Sequence, residues 1–179
     1  MRIFLVRHGE SEANVADRIN DDPLRIVNIT ERGREQAEAA AGKLRAIPFT
    51  HAYASEFPRA RQTAEILIRH NDCFLRIDAR LNERRSGMDG MPVHVFNELI
   101  RSDPLRIKPQ RGESFMEQME RLGSFMDEIS GRHPDGTVLA VSHENPILAA
   151  QALLADDPEQ AVLGGIANCA WVELSWPRK

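Results

Sequence analysis

The chain has 179 residues, with 23 Lys plus Arg against 27 Asp plus Glu and a net charge of −4. This length suits one domain burying roughly 70% of its unfolded surface, and 42% hydrophobic with 28% charged residues excludes wholesale disorder. The mild acidity speaks against a dedicated nucleic-acid binder, and no apolar run nears the ~18 residues of a membrane span.

Residues 3–6 (Ile-Phe-Leu-Val) read as a buried first strand, which stops at Arg7-His8-Gly9 too soon for a signal peptide. Thr30 is placed to cap a helix running to about Arg45, with Ala37, Ala40, Ala41 and Leu44 on one face. A second short strand at 52–54 precedes a helix from about 59 to 69, and a third extended piece spans 74–77. Residues 84–111 form an excursion from the core, carrying Arg84, Arg85, Arg101, Arg106, Lys108 and Arg111 against Asp89, Glu98 and Asp103. Its balance is +3, so the remainder sums to −7, and it holds a short helix at about 93–100 before Pro104 and Pro109. Ser114 and Glu117 have capping-box spacing, and Phe115, Met119, Leu122, Met126 and Ile129 make the stripe of the clearest helix. Residues 138–141 form another buried strand, Pro146 suits the first turn of a helix to about Ala155, and 171–176 close the chain as an alternating strand. Strands alternating with helices imply a three-layer α/β/α sandwich with a mostly parallel central sheet, as a single domain of residues 1–179 without repeat or linker. Cys73 and Cys169 form neither a disulfide framework nor a metal-type pair, which points to a reduced, cytoplasmic setting.

In open α/β sheets ligands bind beyond the carboxyl ends of the strands. His8 follows the first strand, His143 follows the strand at 138–141, and Arg59 lies where the second strand gives way to a helix. A parallel sheet would bring them to one edge. Arginine offers a planar fork of donors that matches phosphate oxygens and stays charged. Neutral imidazole is a nucleophile toward phosphorus, and cationic imidazole a donor to its oxygens. Two arginines and two histidines around one point would hold a phosphoryl group from several sides. His51, His70, His94 and His133 carry no such placement.

The residues are also recognisable as a set. Leu5-Val6-Arg7-His8-Gly9-Glu10-Ser11-Glu12-Ala13-Asn14 resembles the opening motif of the histidine phosphatase superfamily, which includes cofactor-dependent phosphoglycerate mutases. Ile29-Thr30-Glu31-Arg32-Gly33-Arg34-Glu35-Gln36-Ala37, the run from Ser55 through Arg59 to Ala64, and Leu81-Asn82-Glu83 with Gly87 follow in the family's order. Gly112-Glu113-Ser114, Val141-Ser142-His143 and Asn168 before the final strand complete a resemblance that covers essentially the whole chain. It implies a phosphoglycerate mutase-like fold and a phosphohistidine on His8. Arg7, Arg59 and His143 would hold the phosphoryl group, with Ser11 and Asn14 binding or ordering its surroundings. Glu83 would be general acid, then base. The resemblance implies no metal and no cofactor, and a His-Glu-x-x-His motif would need a histidine at Ile147.

Three departures stand out. Glu144 replaces the glycine usual after the second histidine, and it must point away or pair with an arginine to spare an anionic substrate. The second glycine after Glu83, Gly90, comes one residue early. The chain is short, which favours a phosphatase over a mutase with its longer insertions. The expectation is therefore a phosphomonoester hydrolase acting on a phosphorylated small molecule or phosphoprotein, with no nucleic-acid or membrane partner. A mutase or a non-catalytic phosphate binder of the same fold are the alternatives. If the basic segment at 84–111 caps the site, it favours an acidic substrate.

Overall fold

A computed structural model describes residues 1–155 and 158–177. Five strands, β1 (Arg2–Arg7), β2 (His51–Ala54), β3 (Leu75–Ile77), β4 (Thr137–Ser142) and β5 (Trp171–Ser175), form one sheet in the order β3-β2-β4-β1-β5. The first four are mutually parallel, and β5 runs antiparallel along β1. The helices are α1 (Glu12–Val15), α2 (Glu31–Leu44), α3 (Pro58–Ile68), α4 (Val93–Ile100), α5 (Phe115–Arg132), α6 (Glu144–Leu154) and α7 (Pro158–Val162).

The central strands are apolar on both faces because both faces are covered. Alternate residues divide between two cores. Ile3, Leu5, Val138 and Ala140 pack with Phe115, Leu122 and Met126 of α5 and Ile147 of α6. Phe4, Val6, Leu139 and Val141 pack with Ala37 and Leu44 of α2 and Ala60 and Ala64 of α3. The three-layer sandwich follows, as the alternation of elements implied. Thr30 caps α2 by accepting the Gly33 N–H at 3.0 Å, and Ser114 with Glu117 forms the reciprocal box that starts α5. Three short elements have no counterpart in the sequence reading: α1, α7 and a 3-10 turn at Ala79–Leu81. None is long enough to show a period.

The loop after β1 is pinned where two glycines cross. A Cβ on Gly9 would lie 2.4 Å from the Gly33 carbonyl oxygen, and one on Gly33 would lie 2.1 Å from that of Glu10. Only bare backbone fits at this crossing. Gly33→Ala is expected to lose about 1–3 kcal/mol or more in urea unfolding, the scale of overpacking. Gly131→Ala in α5, where a Cβ meets open space, should instead gain up to ~1 kcal/mol. Equal stability of Gly33→Ala and wild type would refute this account of the crossing. Among the described residues no helix is long and apolar enough to cross a membrane.

Candidate active site

Register places the site. Val6 of β1 and Ala54 of β2 both pair with Val141 of β4, so three adjacent strands end level. The ladder runs on for one more step: His8 N–H donates to the Ser142 carbonyl at 3.0 Å, and Ser55 N–H to that of Val141 at 3.1 Å. His8, Ser55 and His143 thus emerge side by side at one edge, and the two imidazole rings stand edge to face at 5.0 Å. They open on a cavity of about 610 Å³ that Arg7, Ser11, Asn14, Arg59 and Glu83 also line. All the residues singled out for the site meet there, except that His143 lies behind the lining against Ser55 and Phe57.

The protonation states follow from the hydrogen bonds. His8 Nδ1 lies 2.7 Å from the Gly9 carbonyl, which can only accept, so Nδ1 carries the proton. Nε2 then offers its lone pair and accepts from Arg59 Nε at 3.2 Å. Burial and the charges of Arg59 and Arg7 hold His8 well below the ordinary imidazole pKa, against the pull of the Gly9 carbonyl. His143 Nδ1 accepts from Arg59 Nη2 at 3.3 Å, which leaves its Nε2–H for Ser55 Oγ at 2.7 Å. Burial first, then Arg59 and His8, lower its pKa as well. Both rings are neutral at pH 7.

Arg59 is the hub. It projects from the first turn of α3, is buried, and places its Cζ over the Phe57 ring, 4.4 Å from the centroid. Two further N–H groups go to the side chain and, at 3.1 Å, the carbonyl of Asn20. Burial lowers its pKa to about 10, partly offset by Glu83, so it remains a cation. Arg7 donates from Nη1 to the Ile166 carbonyl and pairs with Glu144 at 3.2 Å, while its buried Nε has no partner among the described residues. A buried donor without a partner calls for an explanation. Glu144, the first of the departures, therefore pairs with an arginine; it also accepts the Ile166 N–H at 3.2 Å.

Glu83 is set by its neighbours. The Ser142 hydroxyl donates to the Leu81 carbonyl at 2.6 Å, and Arg121 of α5 reaches the Asn82 carbonyl at 3.1 Å. The Glu83 carboxyl accepts the Arg84 N–H at 2.8 Å. Burial raises its pKa above the usual value, opposed by that N–H, by Arg59 and Arg7, and by the Asn145 side chain. Asn14 lies at N3 of α1, where its Oδ1 accepts the N–H and O–H of Ser11 at 3.0 Å. Both residues thus order the loop as well as line the cavity. Asn168 donates to the His8 carbonyl at 3.0 Å.

Sequence reasoning missed Asn20 and Ser55 as partners of Arg59 and His143. Ser55 sat inside a quoted motif, so the signal was there; Asn20 lies in a loop with no pattern. The basic segment also differs from its expectation. Arg84 lines the cavity, but it is buried and its N–H groups are spent on the carbonyls of Glu113, Pro104 and Ile107 at 3.1–3.2 Å. Arg85, Arg106 and Lys108 pair with Glu113, Glu159 and Glu117. A count of charges cannot see such partners. His51 and His133 stack at 3.5 Å near the amino end of β2, away from the site.

The geometry agrees with what the chain is similar to. It is 32% identical over 155 residues to a Cronobacter sakazakii protein named as a probable phosphoglycerate mutase, covering 80% of this chain and 69% of that one. It is 33% identical over 152 residues to the adenosylcobalamin/alpha-ribazole phosphatase of Salmonella typhimurium, covering 80% and 74%. The mycobacterial glucosyl-3-phosphoglycerate phosphatase solved with VO3 superposes with a TM-score of 0.86 at 28% identity, over 97% of this chain and 90% of that one. The family model of the histidine phosphatase superfamily, branch 1, matches residues 3–179, and the chain belongs to that superfamily.

Proposed function

We propose that the chain is a phosphomonoester hydrolase working through a covalent phosphohistidine on His8. The observation that carries this reading is the state of His8: a neutral ring with its proton fixed on Nδ1 and its Nε2 lone pair turned to a guanidinium N–H. A phosphoryl group arriving at Nε2 takes over the N–H groups of Arg59, and the Nε–H of Arg7 adds another donor. His143 supports its equatorial oxygens once the dianion makes a second proton on its ring favourable. His8 Nε2 attacks phosphorus, the bond to the ester oxygen breaks, and Glu83 gives that oxygen its proton. Glu83 carboxylate then takes a proton from water, whose oxygen attacks phosphorus and breaks the P–N bond. Inorganic phosphate and neutral His8 result. Splitting hydrolysis in two lets one pocket stabilise both displacements.

The nearness to proteins named as phosphoglycerate mutases favours one rival, transfer to a second hydroxyl of the substrate. The test is release of inorganic phosphate from p-nitrophenyl phosphate and from alkyl phosphates, beside interconversion of 3- and 2-phosphoglycerate with 2,3-bisphosphoglycerate present. Hydrolysis without efficient interconversion is expected, inhibited by orthovanadate and insensitive to EDTA. Efficient interconversion would establish the mutase instead.

Arg59→Lys keeps the charge but loses the planar fork, which touches both histidines and Asn20. A fall in kcat of roughly 10²-fold or more is expected, as for removal of a preorganised donor. An unchanged kcat would remove Arg59 from the phosphoryl pocket.

A further inference from the structure

We infer that the pocket is built for phosphate monoesters whose leaving group is an apolar alcohol of short-chain or ring size, not one bearing a second acidic group. This rests on the hydrolase reading of the same site. The cavity of about 610 Å³ lies within the roughly 300–1,000 Å³ range of small-molecule sites, well beyond the needs of a phosphoryl group alone. The polar quartet of Arg7, His8, Arg59 and Glu83 accounts for the phosphate; the rest of the lining must meet the leaving group.

The apolar part of that remainder is set by α4, beside polar residues such as Arg18, Asn97 and Asn145. Val93, Phe96 and Ile100 recur at i, i+3 and i+7, on one face of the helix, and all three line the cavity. An amphipathic helix ordinarily buries such a stripe in the core. Here no residue of α4 is fully buried, and the stripe lies half-covered against the cavity. Leu148 of α6 and Val162 of α7 line it too. The wall is held firmly. The Arg84 guanidinium, fixed by its carbonyl partners, lies 5.2 Å from the Phe96 ring centroid and 5.8 Å from that of Phe115 in the core. Beyond Arg7 and Arg59, the basic side chains that line the cavity among the described residues are Arg18, Arg84 and Arg101. Arg84 is tied to carbonyls, Arg101 reaches Glu98 at 3.4 Å and Arg18 the Gly90 carbonyl at 3.4 Å, while the carboxylates of Asp17 and Glu144 line it too. Recognition of a second anionic group has poor support. Burial of methylenes has good support.

Binding of n-alkyl phosphonates, from methyl to hexyl, tests this by calorimetry without requiring turnover. Affinity should rise roughly three- to fourfold per methylene, the factor for burying one CH2. 3-Phosphonopropionate should bind more weakly than propylphosphonate. Phe96→Ala should flatten the dependence on chain length. So should Ile100→Ser, whose half-exposed position tolerates a smaller polar group. A flat dependence in wild type, or preference for the carboxylated ligand, overturns the inference. Hydrolysis of the matching alkyl phosphates is read alongside. A rising affinity without hydrolysis would sink the hydrolase reading and keep the apolar wall, whereas hydrolysis with a flat dependence would do the reverse.

Discussion

His8→Ala is expected to abolish turnover, by roughly 10⁴-fold or more, the scale of losing a nucleophile, while the protein stays folded. The ring accepts one hydrogen bond from Arg59 and makes another to the carbonyl of the next residue. Its backbone, not its ring, carries the ladder to Ser142 and the bond from Asn168. Acid-quenched wild type would not retain the adduct, because a phosphoramidate is labile to acid and stable to base. Base-quenched enzyme caught during turnover should therefore hold phosphate on His8, and the mutant should hold none. The acid limb of kcat/KM supplies a second readout. A group whose pKa is lowered keeps its neutral form to lower pH, so nucleophilic attack should persist well below the ordinary imidazole value of 6.5. An adduct stable to acid, on a serine hydroxyl, would end the mechanism; so would normal turnover by the mutant.

The parts of this molecule that were legible in its sequence share a physical cause. β1 and β4 read as strands because burial on both faces makes them continuous apolar runs, and α2 and α5 because a cap and a period coincide. His8 and His143 were legible as a pair because the ends of adjacent parallel strands must lie together. Arg59 was legible from its place where the second strand gives way to a helix, and Glu83 only through a family motif, since a loop position carries no period. What escaped was anything decided by partners. Asn20 reaches Arg59 across 39 positions of chain, and no local pattern marks it. The +3 of residues 84–111 is plain in the sequence, but its use is decided by partners such as the carbonyls around Arg84. The sequence implies a short helix at about 93–100, and the use of its apolar stripe as a cavity wall needs the fold.

Glu83→Gln is expected to slow alkyl phosphates by roughly 10²–10⁴-fold, the range of general acid catalysis, and p-nitrophenyl phosphate much less. An alkoxide needs its proton as the P–O bond breaks, whereas p-nitrophenolate departs without one. The sequence left the direction of the Glu83 pKa open, because Arg84 and Arg85 sit beside it. In the folded protein Arg84 turns its guanidinium to carbonyls and presents only its N–H to the carboxyl. Burial therefore outweighs the cations, and the pKa rises. A bound phosphate dianion would raise it further. The pH dependence has a definite sign: the acid is present below that raised pKa, so the first-step rate for alkyl phosphates should fall as pH climbs through it. The glutamine variant should lose that alkaline limb and keep the acid limb set by His8. The same residue serves as base in the second step, so single-turnover rates are needed to isolate the first. Equal losses for alkyl and aryl esters, with the alkaline limb intact, would make Glu83 structural. Glu144, already paired with Arg7, would then be the next carboxylate to replace.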